Sequence, residues 1–236
     1  PLGYLNIQIV PVKNGPEGAA YNEPVGLRWA ALCAVAFGRR ARIYAHKGHG
    51  IGQVVFGSRR LARAMMAAGF LGVSRTKRLP AWIYGRPIAE RLAFLRGLLD
   101  SDGTVRSNGA VKFSWHNEAL AWDVWALGRS IGMLVGHPRA YLVRGFHGTR
   151  VQTWELTSYD SAWSAVGSTK WAERLEKTSG YRCREALRPG LYWESVLKID
   201  RQQMLQPVWN LEVEEAESFI ANGVVSHNCS QRMLTG

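Results

Sequence analysis

The chain is poor in cysteine, poor in acid and lacks any long apolar run, and each shortage closes off a class of protein. Three cysteines, Cys33, Cys183 and Cys229, stand far apart in 236 residues. That number and spacing make neither a disulfide framework nor a zinc site, and they fit a reducing, cytoplasmic setting. No apolar stretch approaches the ~18 residues a membrane span requires. No charged-then-apolar leader opens the sequence, so the expectation is a soluble, intracellular protein with no membrane partner. Only 18 acids face 30 lysines and arginines, a net charge of +12. Such an excess favours a polyanion, nucleic acid first. The opening Pro1-Leu2-Gly3 reads equally well as a tag scar or as native sequence.

What is present begins with 47% hydrophobic residues, enough for a sizeable core. Within "RLAFLRGLLDSDG", residues 91–103, Leu92, Leu95 and Leu99 recur at helical spacing. Ala93, Gly97 and Ser101 form a second, small-residue stripe, which implies that another backbone packs close against it. Sixty-three positions earlier, "RWAALCAVAFGRR" sets Ala30, Ala34 and Gly38 opposite that stripe and Leu32 opposite Leu95. The surroundings repeat too. "RIYAHKGHGIGQVVF" predicts a hairpin and "SRRLARAMMAAGF" a helix ending at Gly69. "TVRSNGAVKFSW" predicts a hairpin turning at Asn108-Gly109, and "NEALAWDVWALGRSIGM" a helix reaching Gly132. Each half is helix, hairpin, helix. "YLVRGF" and "TRVQTWELTSY" add two strands, giving an α+β domain with two related sheets. The Asp100-Ser101-Asp102-Gly103 stretch is no calcium loop, since the twelfth position from Asp100 is Val111, where a glutamate is needed.

"LRGLLDSDG" resembles the LAGLIDADG motif of homing endonucleases, and "KRLPAWIYGRPIAERLAFLRGLLDSDGTV", "FSWHNEALAWDVWALGRSIGM" and "SAVGSTKWAERLEK" resemble the family's surrounding pattern. The resemblance implies a LAGLIDADG fold with pseudo-twofold symmetry over residues 21–185. Two helices would pack at its centre, and two saddle-shaped sheets would lie across the major groove of double-stranded DNA. Each helix would end in an acid that binds a divalent metal, Mg²⁺ if the endonuclease is active. A metal polarises the phosphate and activates water. Magnesium accepts one or two carboxylates plus waters. The resemblance makes Asp102 the metal ligand and leaves Asp100 a local role at the helix end. It implies DNA contacts for Arg39, Arg40, Arg42, Arg106 and Lys112. The first motif departs from the pattern: Arg39 stands opposite Asp102, and an arginine cannot ligate a cation. The scaffold is expected intact and the cleavage centre damaged, with Arg39 either neutralising Asp102 or touching a phosphate.

The end of the chain, "PVWNLEVEEAESFIANGVVSHNCS", resembles the C-terminal part of an intein, the Hint splicing domain, with strands "VWNLEV", "SFIA" and "VVS" and an added strand in "LYWESVLKID". The resemblance implies an all-β part at 186–228 and the start of the downstream host protein at 229–236. Asn228 would cyclise through its own amide and break the 228–229 peptide. His227 would move the proton that this poor reaction requires. Cys229 would receive the acyl group as a thiolate. Asn210 stands where an Asp is usual and Glu217 where a His often stands, which touches rate rather than identity. No metal or cofactor is implied for splicing. Residues 1–20, with the scar at 1–3, are expected to be a connecting strand and linker in which "YLNIQIVPV" enters the endonuclease. The chain carries no initiating Cys or Ser and no Thr-x-x-His segment, so a complementary N-terminal intein fragment is the expected partner. That fits a split intein or a truncated one. Whether the chain is an enzyme is open. The alternative reading is a LAGLIDADG DNA endonuclease or RNA-binding maturase as the main activity.

Overall fold

The computed structural model of the protein describes residues 5–9, 23–45, 52–70, 74–144, 148–176, 186–188, 191–192, 196, 198–201, 211, 213, 218–221 and 224–227. The chain divides into two compact units, Pro1–Arg182 and Cys183–Gly236.

The first unit holds two successive helix–hairpin–helix halves. In the first half, helix α1 (Glu23–Phe37) precedes strands β2 (Arg42–Ala45) and β3 (Gly52–Phe56) and helix α2 (Arg59–Ala67). The early strand β1 (Leu5–Ile9) pairs antiparallel with β3, so the sheet order is β1-β3-β2. The stretch expected to be a connecting strand is therefore an edge of this sheet. In the second half, a 3₁₀ turn (Ala81–Gly85) leads to α3 (Ile88–Asp102), β4 (Gly103–Val105), β5 (Val111–Trp115) and α4 (Glu118–Arg129). Strands β6 (Arg139–Arg144) and β7 (Arg150–Ser158) and two short helices, α5 (Trp163–Val166) and α6 (Ala172–Leu175), complete it. Its sheet order is β4-β5-β7-β6, antiparallel throughout.

The repeat is visible in the hydrogen bonds that stop the second helix of each half. Phe70 N donates to Met65 O at 2.9 Å and Gly69 N to Met66 O at 3.0 Å. Met133 N donates to Gly128 O at 3.1 Å and Gly132 N to Arg129 O at 3.0 Å, the same pattern 63 residues on. Both glycines sit at positive φ, +87° and +81°, which is how this kind of helix ending is built. Each of these helices is also started by a side-chain cap. Ser58 Oγ accepts from Leu61 N at 3.1 Å, and Asn117 Oδ1 from Leu120 N at 3.0 Å.

The core lies in the second half. Leu95, Leu99, Val105, Val111, Phe113, Leu127 and Leu156 are all fully buried in one cluster that runs from Leu79 to Leu175. Alternation on β5 places Val111, Phe113 and Trp115 on the covered face and Lys112 and Ser114 on the other. Gly103, where α3 passes directly into β4, has no room for a side chain: a Cβ there would lie 2.6 Å from Leu99 Cδ1 and 2.9 Å from Leu99 O. The first half is thinner. Cys33, Val54, Phe56 and Ala62 are buried, but Leu27, Leu32, Val35 and Phe37 of α1 are exposed.

Two expectations are corrected. The stripe of small residues on α3 is not a close helix contact. A Cβ at Gly97 would meet nothing within 4 Å, nor would one at Gly38, and Ala93 and Ser101 are exposed. The reason is that α3 buries the face carrying Leu95 and Leu99, and α1 packs on its own strands β2 and β3. The second correction concerns "LYWESVLKID" in the second unit. Strand β9 covers only Leu191–Tyr192, paired with β8 (Ala186–Arg188), and residues 198–200 are irregular. Of the expected "VWNLEV" strand only Leu211 and Val213 are described, and the rest of it lies outside the described residues. The hairpin of β10 (Ser218–Ala221) and β11 (Val224–His227) is where "SFIA" and "VVS" place it, in the register Ser218↔His227 to Ala221↔Val224. Its Ile220, Val224 and Val225 are exposed.

Candidate nucleic-acid and metal site

The two aspartates that end α3 do different things. Asp100 is buried, 7% exposed. Its Oδ1 accepts from Ser168 Oγ at 2.5 Å, Thr169 N at 2.8 Å and Lys170 N at 3.2 Å. Ser168 Oγ in turn accepts from Trp171 N at 2.9 Å. Trp171 Nε1 donates to Gly103 O at 3.1 Å, and Arg174 Nη1 to Val105 O at 2.8 Å. Asp100 is thus the anchor by which the 168–174 segment wraps the end of α3, where a role within the helix end alone was expected.

Asp102 is exposed, and its Oδ2 accepts from Trp115 Nε1 at 3.3 Å. The charge of Asp102 acts on Lys170, whose backbone N–H bonds Asp100 at the same helix end. Burial holds the Lys170 ammonium below the ordinary lysine range, and the charges of Asp100 and Asp102 pull it partly back. The ammonium also lies 4.9 Å from the centre of the Trp171 ring. Sequence reasoning gave Lys170 no role. Its signal was there, inside "SAVGSTKWAERLEK", but nothing in the spacing says that residue 170 returns to residue 102. Arg39, expected as one possible neutraliser of Asp102, forms no ion pair with it among the described residues.

Arg39, Arg40 and Arg42 instead gather at the other end of the unit's repeat. With Tyr44, Val55, Phe56 and Gly57 they line a cavity of about 320 Å³, and all three are exposed. Arg106 and Lys112 are brought together by a shared acid. Lys112 Nζ pairs with Glu155 Oε2, and Arg106 Nη2 lies 3.8 Å from Glu155 Oε1. The register puts Thr104, Lys112 and Thr157 in one row across the open face of the sheet and Ser114, Glu155 and Arg139 in the next.

These donors do not fit a divalent ion held by the protein alone. Among the described residues no three His, Cys, Asp or Glu side chains converge. Asp102 offers one exposed carboxylate, bonded to Trp115 Nε1. Of the splicing residues, His227 ends β11 opposite Ser218, and its side chain lies outside the described residues, as do Asn228, Cys229, Asn210 and Glu217. No helix among the described residues is long and apolar enough to cross a membrane.

Residues 89–135, from the first turn of α3 to two residues past the bonds that close α4, match the LAGLIDADG-like domain family. The chain is 32% identical over 177 residues to an iron-sulfur cluster assembly SufBD family protein of Mycobacterium leprae, covering 68% of this chain and 20% of that protein. It is 28% identical over 188 residues to a DNA polymerase of Thermococcus hydrothermalis, covering 75% of this chain and 11% of that protein. The chain therefore spans a fifth or less of the curated relatives it matches. Among solved structures, a variant of the homing endonuclease I-DmoI aligns with 74% of this chain and 78% of its own, at 15% identity and a TM-score of 0.43.

Proposed function

We propose that the chain carries the C-terminal segment of a protein-splicing element together with a DNA-binding LAGLIDADG domain whose cleavage centre is incomplete. The observation that carries the DNA part is the contrast at the two helix ends: Asp102 with Lys170 after α3, and three arginines after α1. A +12 chain with one open sheet face and an arginine-lined cavity is suited to phosphate contacts. A single exposed carboxylate is not suited to two-metal phosphodiester cleavage. In this reading Lys170 lies against the site of reaction and Arg39 against a phosphate.

The splicing part is supported by where the similarity falls. Two proteins named for unrelated activities each match more than two thirds of this chain, so they match it over shared residues, and the shared stretch is a minor part of each. An element inserted in frame into different hosts leaves that pattern. The β10–β11 hairpin leading into His227-Asn228-Cys229 supplies the chemistry. The Asn228 amide nitrogen attacks its own backbone carbonyl, a succinimide forms, and the amine of Cys229 leaves. His227 handles the proton. The exposed Ile220, Val224 and Val225 give the hairpin an apolar surface suited to packing against further strands of a splicing domain.

Mass spectrometry of the purified chain tests this. The chain alone is expected to stay intact between Asn228 and Cys229. Mixed with a complementary N-terminal segment, it is expected to release residues 229–236 or join them to the partner's flanking sequence. Asn228→Ala is expected to abolish release and leave acyl transfer to Cys229, and Cys229→Ala to do the reverse. Rapid loss of residues 229–236 from the isolated chain at neutral pH would overturn the claim that a partner segment is needed.

A further inference from the structure

Helix α1 belongs to the first half of the repeat and packs on that half's strands, yet one of its side chains reaches the far end of the second half. Arg28 Nη1 donates to Thr169 Oγ1 at 2.7 Å and lies 3.8 Å from Asp100 Oδ2. The two partners are 141 and 72 residues away in the chain. They are also already joined to each other, because Thr169 N donates to Asp100 Oδ1. Arg28, Asp100 and Thr169 close a triangle around the turn that presents Lys170.

We infer that Arg28 is a positioning residue for Lys170: from the first half it closes the loop that Asp100 anchors in the second, and so holds the turn that carries the lysine against the end of α3. The inference rests on reading the Asp102–Lys170 end as the site. Three observations carry it. First, Arg28 is held where a charge is costly. Its side chain is 35% exposed, and burial and the neighbouring Arg96 both weaken its hold on its proton, with Asp100 acting the other way. An arginine with no structural task would swing into water. Second, Asp100 has an oxygen to spare. Its Oδ1 takes three donors from the loop, while Oδ2 faces Arg28. Third, the loop amides of Thr169 and Lys170 end on the one carboxylate, so a shift of Asp100 or Thr169 moves residue 170 directly. The sequence spacing hides the triangle because its corners come from three separate elements.

The test is the accessibility of Lys170 in the whole chain, read as its rate of acylation by an amine reagent at fixed pH and located by peptide mass spectrometry. Lys112, paired with Glu155 on the open sheet face, is the internal control. Arg28→Met keeps the apolar stem and removes the donors. It is expected to raise Lys170 labelling about fivefold or more, and to speed amide exchange at Thr169 and Lys170, with Lys112 and the β5 and β7 amides unchanged. Arg28→Lys, which keeps the charge and a donor to Thr169, is expected to fall between wild type and Arg28→Met. Unchanged Lys170 labelling in Arg28→Met overturns the proposal. Equal rates in Arg28→Lys and Arg28→Met overturn it, and so does loosening of β5 and β7 as large as that of the loop, which makes Arg28 a general stabiliser. None of these readings uses DNA. Failure to bind DNA would remove the site's proposed use and leave the positioning result standing.

Discussion

The two halves of the first unit share a layout and differ in almost everything their side chains do. Both run helix, hairpin, helix, and both close their second helix with the same pair of hydrogen bonds 63 residues apart. Yet the second half buries a continuous cluster from Leu79 to Leu175, and the first leaves Val35 of α1 87% exposed. The charges diverge in the same direction. Opposite Asp102 stands Arg39, and opposite Asp123, which takes Arg78 Nε and Nη2 at 2.7 Å each and Leu79 N at 2.9 Å, stands Arg60. Asp102 and Asp123 have arginines at the matching places of the first half, while Asp100 has Phe37. A repeat can keep its backbone instructions, caps and turn glycines, after its site chemistry has moved to one copy.

The comparison breaks most visibly in stability. Leu99→Ala, in the middle of the second-half cluster, is expected to cost about 2–5 kcal/mol. Val54→Ala is as fully buried but stands in the thinner half, and is expected to cost about 1.5 kcal/mol at ~0.8 kcal/mol per methylene. Urea denaturation followed by circular dichroism measures both, and equal costs would mean the halves are equally cored. Next comes Asp123→Ala, which strands the Arg78 guanidinium and the Leu79 amide and is expected to cost about 1–3 kcal/mol. Arg60→Ala in the matching place is expected to cost less than about 0.5 kcal/mol.

Much of the layout was legible in the sequence. Asn117 and Ser58 announce helix starts, Gly69 and Gly132 announce ends, and Asn108-Gly109 announces a turn whose Gly109 sits at φ +80°. Local rules write such signals within a few residues. What was misread depended on distant partners. The Ala93–Gly97–Ser101 stripe looks the same whether or not a helix packs on it, and here none fills the space at Gly97. Asp102 was legible from its motif, but Lys170 and Arg28 reach the same end of α3 through the chain's path alone.

The electrostatic side of the comparison gives a smaller effect. Glu155 neutralises Lys112 and Arg106 in the middle of the open sheet face. Glu155→Gln is expected to tighten binding to duplex DNA severalfold and to steepen the dependence of log K on log salt by roughly 1–2. Fluorescence anisotropy over a salt series reads both, and an unchanged slope would show that this face does not meet phosphate. The smallest effect is on Tyr84, whose Oη donates to the Asp123 carbonyl at 3.0 Å. Burial, then the Asp123 charge, push its ionisation up to about 12, with Arg78 acting the other way. The folded chain therefore holds this proton more tightly than the unfolded one. The stability it contributes is complete below about pH 10 and is lost as pH rises towards 12. Phenolate absorbance during a pH titration should show the late ionisation of Tyr84 as a step lost in Tyr84→Phe, and Asp123→Ala should bring it earlier.

The most direct test of an intact scaffold with an incomplete centre is to incubate the chain with duplex DNA that carries the uninterrupted host gene, with and without Mg²⁺, and to follow binding and strand scission together. The expected result is salt-sensitive binding with scission absent or confined to one strand. Efficient Mg²⁺-dependent cutting of both strands by the native sequence would contradict it.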